Sequence, residues 1–471
     1  MEIYVCPLEP SQLFKHSFVE KASFGEMKLF YTETTIYLLV CICPVSKNME
    51  DIRHLGGEIR KKIDKEFLSL TVTINFNGLF KGWEHATEES DIASYVTAFM
   101  EGWYLAGYRF QYYKRNRLEM DYVLEYNYSS YSAYVALAKT KSDAVCLARD
   151  LCNEPPSKLT PEAYASKIVE IFRDTDVDVA ILDTVDLTKH GLEAIKTVGK
   201  GSVHPPKMVV LTLKNTVGKH VALVGKGVTF DAGGVNVKTG TGLWEMKMDM
   251  GGSAAVVGAM KLLSDLNSSV YVTAVIPLVE NVVGKNAYLP ADVISYANGM
   301  HVEVGNTDAE GRLILADGIL YAQDVGAETI IDIATLTGSI GQALGLKTAG
   351  VFTNNEKDLW TYREIGEETG DHVWPMPLIE DYKAYLHSDY ADLNNRSASK
   401  YGGSITAAIF LQQFIKQHMK WLHIDMANTV RPWKVYGYHV EGATGFGVRL
   451  LTKLVEKEFE RRNAVGIDCT E

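Results

Sequence analysis

The sequence lacks an apolar run long enough to cross a membrane. Its most apolar early stretch, "TIYLLVCICPV" at 35–45, is about half of the roughly 20 residues a span requires. It reads as a buried strand, and no membrane partner is expected. The opening segment "MEIYVCPLEPSQ" has neither the basic start nor the apolar core of a secretory signal, so a cytoplasmic location is expected. Cysteine is sparse: the residues at 6, 41, 43, 146, 152 and 469 form no CxxC pair and no zinc-ligand spacing. Cys41 and Cys43 alternate along one expected strand, and the set reads as reduced, buried thiols. Positive charge is also short. The formal net charge is −12, which removes any global attraction to nucleic acid. The basic run Lys114-Arg115-Asn116-Arg117 reads as a solvated face. There is no HExxH, and the 12 histidines are dispersed without ligand spacing, which excludes a zincin.

What is present is an ordinary globular composition, 46% apolar and 23% charged. A chain of 471 residues exceeds a single core, so two domains are expected. Residues 1 to about 135 mix short apolar runs with amphipathic helices such as "DIASYVTAFMEGWYLAGY" at 91–108, and no site-like cluster stands out there. Residues 140–152 have helical spacing. "NEPPSKLTPEAY" then breaks it, with Thr160-Pro161 reading as an N-cap followed by proline at the first helical position. The division is therefore expected at 1–138, a linker helix at 139–154, and a second domain at 155–471. Beyond 155, strands ("KHVALVGKGV", "VYVTAVIPLV", "ETIIDIATL", "TAGVFTN", "WLHIDMA") alternate with helices ("GGSAAVVGAMKLLSDL", "GRLILADGILYAQDV", "SITAAIFLQQFIKQH"). That alternation predicts an α/β domain with a central mixed, largely parallel sheet flanked by helices.

Sites in such sheets form where strands end and loops lead into helices. Three of these junctions are unusually polar. "LVGKGVTFDAGGVNVK" carries Lys226, Asp231 and Lys238; "MKMDMGGSAA" carries Asp249; "GNTDAEGRL" carries Asp308, Glu310 and Arg312. A phosphate loop does not fit the first, because Phe230 stands where GxGxxG needs its last glycine. A calcium loop does not fit the third, because its twelfth position is Asp317 and a strand precedes it. A helix dipole accounts for one carboxylate at a time, not for four carboxylates and two lysines at neighbouring turns. Unpaired, the four acids would repel one another and raise their own pKa values. Two divalent cations about 3.5–4 Å apart would neutralise them. An oxygen-rich donor set admits manganese, magnesium or cobalt as well as zinc.

"NTDAEGRL" at 306–313 resembles the signature of the leucyl aminopeptidase (cytosol aminopeptidase) family. "VGKGVTFDAGG" and "MKMDMGG" resemble that family's other metal motifs in the same order, and "ATLTG" and "NEPPSKLTP" are similar to further family segments. The resemblance covers about 150 to the C-terminus. It implies a smaller N-terminal α/β domain, a catalytic C-terminal domain and assembly as a homohexamer. It implies two metal ions per subunit, zinc or manganese. Lys226 and Asp249 bind one, Asp231 and Glu310 bridge both, and Asp308 binds the other. It further implies that Lys238 faces the scissile carbonyl and that Arg312 holds a bicarbonate ion, the proposed general base for attack by a metal-bridged hydroxide. Met246, Thr335, Gly338 and Ala427 would form a pocket for a leucine-like N-terminal residue of a peptide with a free N-terminus. Another two-metal hydrolase, or a regulatory DNA-binding protein with secondary peptidase activity, are the competing readings.

Overall fold

The computed structural model describes residues 2–7, 23–41, 48–80, 89–126 and 129–465, with the side chains of 89–91 and 461–465 outside that description. Cys43 and Cys469 lie outside the described residues, as does the second half of the expected strand at 35–45. The chain divides into two compact units, Met1–Asp143 with Lys434–Glu441, and Ala144–Trp433 with Gly442–Glu471. No described helix is long and apolar enough to cross a membrane.

In the first unit the elements are β1 (Glu2–Pro7), β2 (Met27–Tyr31), β3 (Ile36–Val40), α1 (Met49–Glu66), β4 (Ser69–Ile74), α2 (Phe76–Phe80), α3 (Glu89–Ala106) and β5 (Asp121–Tyr126). The sheet order is β2-β3-β1-β4-β5. Only β2 runs antiparallel to its neighbour. On α1, Ile52, Leu55, Ile59 and Ile63 recur every three or four residues and are all buried, the stripe a helix needs to cover a sheet. Two glycines let α1 and α3 cross closely. A Cβ on Gly56 would lie 2.0 Å from the Phe99 carbonyl oxygen, and one on Gly102 would lie 1.8 Å from that of Arg53.

The division between the units falls within α4 (Ser132–Asn153). Next, α5 (Pro161–Phe172) starts as its sequence implies: the Thr160 hydroxyl accepts from the Ala163 amide at 3.3 Å, with Pro161 at the first helical position. The second unit continues with β6 (Asp178–Leu182), α6 (Thr184–Lys189), α7 (Glu193–Gly199), β7 (Lys207–Lys214), β8 (Val221–Gly225), β9 (Gly227–Asp231), α8 (Gly251–Asp265) and β10 (Tyr271–Asn281). Then come β11 (Val293–Ser295), β12 (His301–Glu303), α9 (Glu310–Asp324), β13 (Thr329–Ala334), α10 (Gly338–Leu344), β14 (Ala349–Thr353) and α11 (Leu359–Thr369). The last elements are β15 (Val373–Pro375), β16 (Leu393–Asn394), α12 (Gly403–Gln412), β17 (Lys420–Asp425) and α13 (Val448–Val465).

The large sheet runs β15-β14-β17-β13-β8-β10-β7-β6, with β9 continuing the pairing of β10 beyond β8. The central pairings β17/β13, β13/β8 and β8/β10 are parallel, while β6/β7, β7/β10 and β14/β17 are antiparallel. The fold is the mixed, largely parallel α/β sheet that the alternation implied. Strands buried on both faces read as continuous apolar runs, and every residue of β8 and β13 is buried.

Register decides where the site falls. Ile333 pairs with Gly225 and Ala334 with Asp425, so β8, β13 and β17 end side by side. Lys226, Thr335 and Met426 therefore leave the sheet at one edge. Helix α8 packs against β13 there so closely that a Cβ on Gly252 would lie 2.2 Å from the Ile333 carbonyl oxygen. Gly252→Ala is expected to destabilise this layer by about 1–3 kcal/mol through overpacking. Thermal unfolding checks it: the variant should melt lower, and an unchanged melting temperature would mean that the helix is free to move away.

Candidate metal and active site

The four acidic residues and Lys226 are delivered by three interruptions of regular structure. Lys226 sits in the single-residue break between β8 and β9, and Asp231 is the last residue of β9. Asp249 follows a 3-10 segment, Thr241–Met248, just before α8. Asp308 lies in the loop after β12, and Glu310 is the first residue of α9. The double glycine after Asp231 is required by geometry. Gly233 and Gly234 have φ of +90° and +63°, which other residues adopt at a cost. A Cβ on Gly233 would lie 2.4 Å from the Asn236 carbonyl oxygen, and one on Gly234 would lie 2.8 Å from Asn281 Oδ1. Thr307 ties the two loops together, donating to the Gly233 carbonyl at 2.6 Å and accepting from the Asn236 amide at 2.9 Å.

Four carboxylates and two lysines meet at this edge. Lys226 Nζ lies 2.8 Å from Asp249 Oδ2 and 2.9 Å from Glu310 Oε1, and it donates to the Thr335 carbonyl at 3.0 Å. Lys238 Nζ lies 2.8 Å from Asp231 and 2.6 Å from Asp308. Lys226, Asp231, Asp249 and Glu310 are all buried. Asp231, Asp308 and Glu310 each offer an oxygen within 4.8 Å of the others, a spacing at which one cation can be shared. At an effective dielectric of about 20, two carboxylates that close repel by roughly 3 kcal/mol.

The titration behaviour follows from this crowding. Burial first, then Asp231, pushes the Glu310 carboxyl up. Burial first, with Asp231 adding and Lys226 opposing, does the same to Asp249. Burial acts against the charge of Lys226, but Asp249, Glu310 and Asp231 outweigh it and raise its pKa. Among the protein's own groups, then, Lys226 is an ammonium and serves as counter-ion. The neutral amine implied by the family resemblance requires a cation to replace that proton.

All eleven residues singled out in the sequence line one cavity of about 600 Å³. They are Lys226, Asp231, Lys238, Met246, Asp249, Asp308, Glu310, Arg312, Thr335, Gly338 and Ala427. Arg312 reaches it from the first turn of α9. Burial, partly offset by Glu310 and Asp425, lowers its pKa to about 10, and its Nε is a buried donor with no hydrogen-bond partner. An orphaned buried donor is costly, and a small anion would satisfy it. Asp249 Oδ2 is likewise buried without a hydrogen bond of good geometry, despite the nearby Lys226 ammonium. The donor set fits hard or borderline divalent cations.

The structure also brings in residues that sequence reasoning passed over. Asn281, at the end of β10, donates to Asp231 Oδ1 at 2.8 Å, to the Thr307 carbonyl at 2.9 Å and towards Glu310 Oε2 at 3.4 Å. Thr335 donates to Asp249 Oδ1 at 2.8 Å. Asp425, at the end of β17, accepts from the Thr337 hydroxyl at 2.6 Å and from the Leu336 amide at 3.2 Å, which fixes the 335–337 loop. The capping "N" of an apolar strand carries no local signal; only pairing with β9 shows what Asn281 faces.

A sheet edge that gathers buried acids and lysines around one cavity fits the class of α/β enzymes that bind divalent metal ions. The profile of the cytosol aminopeptidase family, catalytic domain, matches residues 146–452. A probable cytosol aminopeptidase of Chlorobium limicola is 39% identical over 430 residues, covering 87% of this chain and 84% of that protein. One from Rickettsia canadensis is 38% identical over 420 residues, covering 87% and 82%. A solved structure of the bottromycin maturation enzyme BotP in complex with Mn superposes with a TM-score of 0.87 at 30% identity, covering 97% of this chain and 99% of that one. The chain belongs to the cytosol aminopeptidase family. It is a metal-dependent aminopeptidase acting on peptides.

Removing an outer hydrogen bond to metal-binding carboxylates costs about 10–100-fold in metal affinity. Asn281→Ala should weaken Mn²⁺ binding by about that factor. Calorimetric titration of the folded variant checks it, and unchanged affinity would show that Asp231 and Glu310 hold their places unaided.

Proposed function

We propose that the enzyme is a dinuclear aminopeptidase that removes leucine-like N-terminal residues with bicarbonate as general base. Lys226, Asp231, Asp249, Asp308 and Glu310 would hold the two ions. The observation that carries this reading is the packing of four carboxylates, three of them buried, against only two ammonium groups. That leaves two negative charges, which become three once Lys226 gives up its proton to ligate an ion, more than one divalent cation neutralises. Two bound divalent ions would polarise the scissile carbonyl and acidify the attacking water. The Mn complex of the related BotP supports a divalent ion of this kind.

The remaining work belongs to the protein's own groups. Lys238 is part-exposed on the cavity wall, and its ammonium can donate to the oxygen that becomes negative as the carbonyl is attacked. Such a donor counts more in the transition state than in the ground state. The Arg312 fork suits a planar, bidentate anion, and its orphaned Nε supports bicarbonate there, positioned to take the proton of the attacking water. Asp249 presents a buried carboxylate to the free α-amine of a substrate, and an internal peptide bond has no such group. Met246, Thr335, Gly338 and Ala427 line the same cavity. A Cβ on Gly338 would meet nothing within 4 Å, which leaves room for a branched aliphatic side chain.

The test is release of leucine from a leucyl anilide. Thorough chelation should abolish turnover and Mn²⁺, Zn²⁺ or Co²⁺ should restore it; turnover that survives chelation would reject the metal mechanism. Asp249→Ala should abolish turnover. Lys238→Ala should lower kcat with little change in KM, and a pure KM effect would remove its electrophilic role. Wild-type rate should fall in bicarbonate-depleted buffer, whereas Arg312→Ala should be slow and indifferent to bicarbonate. A wild-type rate independent of bicarbonate would remove that base.

A further inference from the structure

The first unit holds a second cluster of metal-ligating side chains that no sequence spacing announced. Glu50 and His54 sit four residues apart on α1 and so share one helix face. His439 joins them from Lys434–Glu441, the segment that returns to the first unit from the far end of the chain. One ligand atom from each of the three lies within 4.8 Å of the other two. That is the same closeness to which Asp231, Asp308 and Glu310 are gathered.

The local geometry has the spacing expected of ligands to one cation. His54 Nε2 is 3.4 Å from Glu50 Oε1. That exceeds the usual span of about 2.7–3.2 Å for a nitrogen–oxygen hydrogen bond. It equals the separation of about 3.4 Å between two donors bonded at about 2.1 Å to one tetrahedral ion. The His54 and His439 ring centres are 5.7 Å apart and tilted by 59°. Two imidazoles on one such ion stand about 5 Å apart.

The donors are also held in place. Tyr438 donates to Glu50 Oε1 at 2.9 Å, and Arg53 lies 3.2 Å from Oε2. Arg53 is itself tied to Glu101 at 2.6 Å. The other edge of the His54 ring packs on the backbone of Gly437, where a Cβ would lie 1.7 Å from Nδ1. That contact turns Nε2 towards Glu50. Outer partners that fix a ligand's orientation are a regular part of metal sites.

We propose that Glu50, His54 and His439 form a zinc site of two histidines and one carboxylate, separate from the carboxylate-rich site of the second unit. Its role is to clasp the Lys434–Glu441 segment onto α1. Two imidazoles and a carboxylate suit zinc better than they suit manganese or magnesium. Glu50 and His54 are buried while His439 is half-buried, so the fourth position is open to water.

The test uses the full chain, equilibrated with Zn²⁺, desalted and counted by elemental analysis. Wild type should retain one zinc per chain more than His54→Gln or His439→Gln, each confirmed as folded by circular dichroism. Glu310→Gln should keep that zinc, whatever happens at the other site. Cobalt substituted into Glu310→Gln should give visible bands of tetrahedral intensity that His54→Gln lacks, and His439→Cys should keep the metal. If His54→Gln does not fold, His439→Gln reads the same zinc from the more exposed side. Equal zinc counts in wild type and the folded histidine variants would overturn the proposal and leave an ordinary packed histidine pair.

Discussion

Mutual repulsion among Asp231, Asp249, Asp308 and Glu310 is the constraint around which the second unit is arranged. A domain's net stability is about 5–15 kcal/mol, and each close pair of carboxylates costs a substantial part of that. The fold tolerates them by placing Lys226 and Lys238 within ion-pair distance and Asn281 behind two of them. These devices leave the cluster short of positive charge. A resting arrangement with this unmet negative charge is one that would take up cations.

The scaffold supplies precision through backbone rather than side chains. Parallel register brings the ends of β8, β13 and β17 to one line, and glycines then let neighbouring segments approach where a Cβ could not fit. Gly311 is a case in point: a Cβ there would lie 2.6 Å from Lys226 Cε. A lysine held this tightly keeps its nitrogen between Asp249 and Glu310 whether it bears a proton or ligates an ion. Asp425 does the same for the loop that carries Thr335, through bonds to consecutive residues after β13.

Much of this was legible in the sequence because it is local. The three polar junctions each lie within a short stretch, and mainly apolar runs such as Val221–Gly225 and Thr329–Ala334 read as buried strands. What escaped was nonlocal. Asn281 ends an apolar strand and gains its meaning only from pairing with β9. Asp425 and Thr337 are brought together by the β13/β17 register. The dispersed histidines conceal His54 and His439, which meet only because Lys434–Glu441 belongs to the first unit rather than to the one that surrounds it in sequence. The first unit is hard to read for a related reason. Its core depends on the glycine-mediated crossing of α1 and α3, which leaves no motif.

Anomalous diffraction from crystals equilibrated with Mn²⁺, collected at the manganese edge, would test the central claim most directly. The account predicts two anomalous peaks in the cavity beneath Asp308, about 3.5–4 Å apart, with Asp231 and Glu310 between them and Lys226 Nζ against one. A single peak, or none with the lysine pairs intact at saturating metal, would contradict it.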